Sequence, residues 1–206
     1  MKYSFLFLLA CISLASCKQI DANKQIDEGE FKKNTYTSNE LGWTIKIPEG
    51  WKITSREQNE KFEKKGLEAM EDLVDGEIDV SQLKDLIGFQ KNQFNMFQSN
   101  TEPFKEEYDG EWEENNALIK ALIFNTYQNQ GIKVDSSKTT SSRIGGLNFE
   151  TYKFTIYAPN GDVILNQIMY SRLINELSFG VNINYNNEAD KNEMLSSWKK
   201  SKFKKK

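Results

Sequence analysis

"LGWTIKIPEGWKI", residues 41–53, is the stretch from which the fold can be built outward. Trp43, Thr44, Ile45, Lys46 and Ile47 alternate apolar and polar side chains. A period of two puts one set on a buried face and the other in solvent, the pattern of a half-buried strand. Pro48-Glu49-Gly50 predicts a turn, and Trp51 resumes the apolar series behind it. An opening of this kind needs a sheet to lie against, and the downstream sequence supplies one.

Ser55 with Gln58 forms a capping-box signal, and Phe62, Met70 and Val74 recur at helical spacing. A helix is predicted from Ser55 to about Asp75, with Gly76 as its stop and a short second helix over Val80–Leu86. Strands over Leu86–Lys91 and Phe94–Ser99 follow, joined at Asn92-Gln93. The next helix is predicted from Asp109 to just before Gly131, with Trp112, Ile119, Leu122, Ile123 and Tyr127 as its apolar face. Ile132–Ser137 reads as a strand. Leu147–Ala158 and Val163–Leu173 flank Asn160-Gly161, the strongest short hairpin signal in the chain. The second of these strands is apolar on both faces, which predicts a central strand covered on both sides. Leu177, Phe179, Val181, Ile183 and Tyr185 alternate with Ser, Gly and Asn, so the strand they form is covered on one face only. Gly180 within it marks a close backbone approach or a bulge. A last helix starts near Asn187 and buries Leu195 and Trp198. This order predicts an α+β fold, an antiparallel β-sheet flanked by helices on both faces.

Upstream, the chain changes character. Tyr3 to Ala15 is apolar behind Lys2, too short to cross a bilayer, which needs about 20 apolar residues. It matches an export signal instead. Leu14-Ala15-Ser16-Cys17 resembles the lipobox of bacterial lipoproteins. That resemblance implies cleavage between Ser16 and Cys17 and acylation of the Cys17 thiol. Cys11, with bulky Leu9 two residues before it, fits less well. Cleavage removes Cys11, so no disulfide is expected. Lys18 and Gln19 follow the cysteine where an inner-membrane retention signal has aspartate, which implies the outer membrane. The expected organisation is a signal peptide over 1–16, then Cys17 and a flexible tether through residue 34. A single domain over 35–203 and a basic tail over 204–206 complete it.

Composition narrows the function classes. Hydrophobic content of 38% and aromatic content of 12% describe a folded chain. Six lysines lie in the last eight residues, so residues 18–198 carry 20 basic and 30 acidic side chains, a body near −10. Such a body has no electrostatic footprint for nucleic acid. The tail reads as a solvated charge run, with an anionic lipid or partner as the alternative.

"LGWTIKIPEGWKI" resembles the opening hairpin of the PsbP-like fold, and the later pattern agrees with it. "RIGGLNFETYKFTIY", a turn, a second long strand, "LSFGVNINY" and a closing amphipathic helix follow in that family's order. The family includes an extrinsic photosystem II subunit, a Ran-binding nuclear import factor and small bacterial lipoproteins. The resemblance implies an α/β/α sandwich and action by binding other proteins. It transfers no site, because the metal and histidine-dependent contacts of the photosystem subunit have no counterpart in a chain with no histidine.

Without histidine, imidazole-based triads and ordinary zinc or copper sites are excluded. Ser81/Lys84, Ser196/Lys199, Ser197/Lys200 and Ser201/Lys204 fit S-x-x-K, but the accompanying motifs are absent. An EF-hand frame over Glu71–Gln82 fails at Leu73 and Gln82. Glu106–Asn115 is an acidic loop leading into a helix, or a weak cation site. Trp43, Trp51, Trp112 and Trp198 read as core rather than as a sugar or lipid cleft. No catalytic, cofactor or metal residue is therefore expected. The leading expectation is a lipid-anchored, non-catalytic envelope protein that binds a protein partner through one sheet face or the loop Glu106–Glu111. A small-ligand or lipid-binding module is the alternative, and a hydrolase working through two carboxylates is the third.

Overall fold

The structure is a computed structural model in which residues 20–70, 73 and 78–204 are described. Glu30–Lys32 (β1) and Thr35–Thr37 (β2) are joined by Lys33 and Asn34, whose φ angles of 49° and 60° make a tight two-residue hairpin turn. Trp43–Lys46 (β3) pairs with β2, and its predicted alternation holds: Trp43 and Ile45 are buried, Lys46 exposed. Lys52–Ile53 (β4) leaves this hairpin for a second sheet.

Arg56–Met70 (α1) begins where the capping signal places it, with Ser55 Oγ accepting the Gln58 N–H at 3.3 Å. Its expected continuation to Asp75 and Gly76 lies outside the described residues. The helix expected over Val80–Leu86 is corrected: one turn closes from Leu83 N–H to the Val80 carbonyl, and Lys84–Asp85 is a strand (β5). Sheet pairing wins there because it buries Leu86 and Ile87 against the core, which a short polar helix would leave half in water. Phe89–Asn92 (β6) and Asn95–Pro103 (β7) form the expected hairpin. Glu111–Asn129 (α2) ends at Gly131, where Ile132 N–H reaches back to the Tyr127 carbonyl.

Val134–Ser136 (β8), Thr140–Ile144 (β9), Leu147–Tyr157 (β10), Val163–Ile174 (β11) and Leu177–Tyr185 (β12) follow. β9 was not expected. It is a polar edge strand in which only Ile144 is buried, so no hydrophobic period announces it. β11 is central in pairing, but Val163 and Ile164 at its start are exposed, so the expected cover on both faces is incomplete. Glu188–Lys199 (α3) is capped by Asn187, whose side chain accepts the Asp190 N–H, and Lys202–Phe203 (β13) closes the fold.

Two antiparallel sheets result. The small one runs β1-β2-β3-β13, and the large one β4-β6-β7-β12-β11-β10-β8, with β5 on β7 and β9 on β10. β10 alternates across the large sheet. Phe149 points into the main core, while Tyr152, Phe154 and Ile156 point the other way. On the first face Trp198 of α3 lies within about 6.4 Å, ring centre to ring centre, of Trp43, Phe97, Phe149, Tyr170, Phe179 and Phe203. On the second face Ile123, Phe124 and Tyr127 of α2 pack against Phe154 and its neighbours, and α1 touches α2.

The tether expected over 17–34 is corrected where it is described. Ala22 and Ile26 are buried. Asn23 exchanges two hydrogen bonds with the backbone of Phe31, and Glu28 accepts the N–H groups of Asn39 and Glu40. Polar residues that read as solvated are engaged with backbone groups, so the folded body begins near Ala22 rather than at residue 35. Residues 1–19, including Ser16 and Cys17, and Lys205–Lys206 of the tail lie outside the described residues.

Candidate functional site

The polar half of β12 locates the site. Its apolar half (Phe179, Val181, Ile183, Tyr185) lies in the main core, which turns Ser178, Gly180, Asn182 and Asn184 to the face beneath α1 and α2. Cross-strand register extends these into rows, since residues directly opposite share a face. One row reads Asp85, Asn100, Gly180, Ser171, Glu150 across β5, β7, β12, β11 and β10. The next reads Gln98, Asn182, Met169, Tyr152, and a third Met96, Asn184, Gln167, Phe154. A sheet face under two helices is ordinarily apolar. Here its centre carries amides.

The helices serve the flanks of this face. From α2, the Trp112 indole N–H donates to Ser178 Oγ at 3.2 Å, Asn116 donates to the Glu150 carboxylate, and Tyr127 O–H donates to Gln167. From α1, Gln58 and Gln90 exchange two hydrogen bonds. The central strip has no such service. Asn100 is exposed, Gln98, Gly180 and Asn182 are half-buried, and a Cβ on Gly180 would lie 2.7 Å from the Asn100 Oδ1. A side chain there would have to displace the Asn100 amide, which lies across the glycine. The Oδ1 atoms of Asn59, Asn182 and Asn184 are buried with no donor among the described residues. Each such orphan costs about 1–3 kcal/mol.

Burial pushes the Asp85 carboxyl up to about 6, with the Asp27 carboxylate adding to the rise and a hydrogen bond from Asn59 opposing it. Burial alone pushes Glu102 up. Asp27 and Asp85 are the nearest thing to the paired acids of a hydrolase, but they form a clasp. Asp27 accepts the Asp85 N–H at 2.8 Å and an Arg56 guanidinium at 2.7 Å, fastening the N-terminal segment to β5 and α1.

The other sequence candidates fall elsewhere. Trp43, Trp51, Trp112 and Trp198 are buried, as core. Lys84 of the Ser81 pair is held by Glu40 at 2.6 Å, and Ser197 donates to the Lys46 carbonyl. In the acidic loop, Glu106 and Glu111 accept the N–H groups of Trp112 and Glu107, so those acids organise the start of α2. Among the described residues no group of three or more His, Cys, Asp or Glu is placed to hold a metal. No described helix is long and apolar enough to cross a membrane. The amide strip itself was missed as a site, although the alternation of Ser, Gly and Asn along "LSFGVNINY" carried its signal.

The solution structure of cyanobacterial PsbP (CyanoP) from Synechocystis sp. PCC 6803 matches with a TM-score of 0.54, covering 82% of this chain and 91% of that chain. The fold is PsbP-like. Sequence identity in that match is 7%, so the likeness extends to the fold alone. No family model and no curated protein matches the sequence. The amide strip is therefore read from this chain's own residues within a PsbP-like frame.

Proposed function

We propose that the chain is a lipid-anchored, non-catalytic binding protein of the bacterial envelope, held at the outer membrane through acylated Cys17. Its binding surface is the amide strip between α1 and α2, and its ligand is an extended segment of a partner protein. We read the layers as an α/β/α sandwich, α3 and the small sheet on one side and α1 with α2 on the other. The opposite orientation of Phe149 and Phe154 on β10 supports this. The observation that carries the binding proposal is the set of orphan amide oxygens of Asn59, Asn182 and Asn184 beside an exposed Asn100. Backbone N–H groups of a partner segment are the donors these buried acceptors lack, and the exposed Asn100 is where such a segment would enter.

The aromatic core around Trp198 is filled, which argues against a lipid held inside the fold. Catalysis through carboxylates is disfavoured by the engagement of Asp27 with Arg56 and the Asp85 backbone. The anchor is tested with labelled fatty acid. The full chain is expected to incorporate label and partition with membranes, and Cys17→Ser to do neither. Equal labelling of both would remove the anchor from the proposal.

A further inference from the structure

The small sheet has an outer face that differs in charge from the rest of the molecule. Its inward residues Phe31, Tyr36, Trp43, Ile45 and Phe203 pack on the main core, so Lys32, Thr35, Thr37, Thr44, Lys46 and Lys202 point outward. The register aligns Lys32, Thr35 and Lys46 in one row and Thr37, Thr44 and Lys202 in the next. Lys33 in the hairpin turn and Lys200 and Lys204 beside β13 extend the patch. All six lysines are exposed, and none forms an ion pair among the described residues. Lys61, Lys64, Lys84, Lys91 and Lys191 do. Other lysines with no ion pair among the described residues, such as Lys105 and Lys138, lie elsewhere on the surface, so it is the clustering that sets this face apart. Glu30, opposite Thr37 at the end of the second row, and Glu49 and Glu193 at the groove are acids beside it. Lys32, Lys33 and Lys46 from a body near −10 and Lys200, Lys202 and Lys204 from the basic C-terminal run thus gather on one flat, threonine-bearing face. A shallow groove of about 910 Å³ opens beside it, with Lys33, Lys46 and Lys200 around Ile47 and Pro48 and with Glu193 on its α3 wall.

We propose that this face rests on anionic phospholipid headgroups. The chain's path favours a bilayer over any other anion. Asn23 is fastened to β1 by its two hydrogen bonds to Phe31. Six residues of chain from Cys17 to Asn23 reach at most about 20 Å. An acylated Cys17 therefore keeps the edge of this sheet within a short distance of the membrane surface, where lysines are attracted to anionic lipid within about one Debye length, roughly 8–10 Å. Docked so, the molecule turns the amide strip, on the far side of the large sheet, away from the bilayer and toward a partner. The placement rests on the Cys17 reading, while the affinity of the face for lipid does not.

The test uses residues 18–206 without acylation, which contain every described residue, in flotation with two kinds of vesicle. One is 30% phosphatidylglycerol in phosphatidylethanolamine, the other phosphatidylcholine alone. Binding to the anionic vesicles alone is expected, lost in high salt. Each lysine neutralised near a surface weakens binding about fivefold. Lys32→Glu with Lys46→Glu should therefore weaken it about 25-fold or more, while Lys105→Glu with Lys138→Glu, exposed elsewhere, leaves it unchanged. Unaltered tryptophan fluorescence and circular dichroism show that the variants are folded. Equal binding by both double variants would show that the sheet lysines Lys32 and Lys46 do not meet the lipid and overturn the proposal, as would no binding or equal binding to both vesicles. Fatty-acid labelling of the full chain reports on Cys17 separately, so the two failures are distinguishable.

Discussion

Asp85 concentrates what is unusual about the site into one titration. Its folded value of about 6 lies above the ordinary 3.8, because burial and the Asp27 carboxylate both disfavour its charge. Between those values the folded chain holds a proton that the unfolded chain releases, so this group's contribution to stability falls as pH rises from about 4 to 6 and is flat beyond. Asp85→Asn is expected to remove that fall. In urea titrations at pH 4 and pH 7, the variant should gain on the parent at pH 7 and show little gain at pH 4. A gain of the same size at both pH values would show that the carboxyl titrates normally. Nothing in the sequence around Asp85 announces this, because the partners that raise it come from residues 27 and 63 and the burial from a sheet edge. Trp43 is the opposite case. Its alternating neighbours predicted its burial, since a strand's period is local information.

Elements were legible in proportion to how much of their pattern is local. α2 and α3 follow their end signals, Gly131 and Asn187, and β10–β11 follow Asn160-Gly161. β5 is held by pairing to β7 and β9 by a hairpin to β10 through Gly145-Gly146, and neither carries a period of its own. The turn into β10 gives a test of a long-range contact, the seating of β13 against it. Gly145 has φ of 55°, and a Cβ there would lie 2.8 Å from the Ser201 carbonyl and 2.7 Å from the Phe203 ring. Gly146 has φ of 89° and open space around it. Left-handed backbone costs about 1–2 kcal/mol for any L side chain. Gly145→Ala adds a clash with backbone that cannot move without displacing β13. Denaturant unfolding should therefore find Gly145→Ala less stable than Gly146→Ala by at least about 1 kcal/mol. Equal losses would mean that β13 is not seated against this turn.

At the scale of the molecule, the large sheet separates two surfaces of different chemistry. One bears lysines beside the N-terminal segment with no ion pair among the described residues, and the other bears amide oxygens with no donor among them. Neither surface is visible from composition, since lysines at 32, 46 and 202 become neighbours only through the order β1-β2-β3-β13. Likewise Asp85, Asn100, Gly180 and Glu150 meet only through the order of the large sheet. Residue-type periods predict which side of a strand is polar, and they carry no information about which strands will be adjacent. The binding role of the amide strip is tested most directly by site-specific photo-crosslinking of the acylated chain in intact cells. A photoreactive residue is placed at position 100 or 171 on the strip, or at position 160 in the β10–β11 turn. A discrete adduct with one protein is expected from positions 100 and 171, lost when Gly180→Ala fills the strip, and absent from position 160. No adduct from the strip, or the same adduct from all three positions, would contradict a partner seated between α1 and α2.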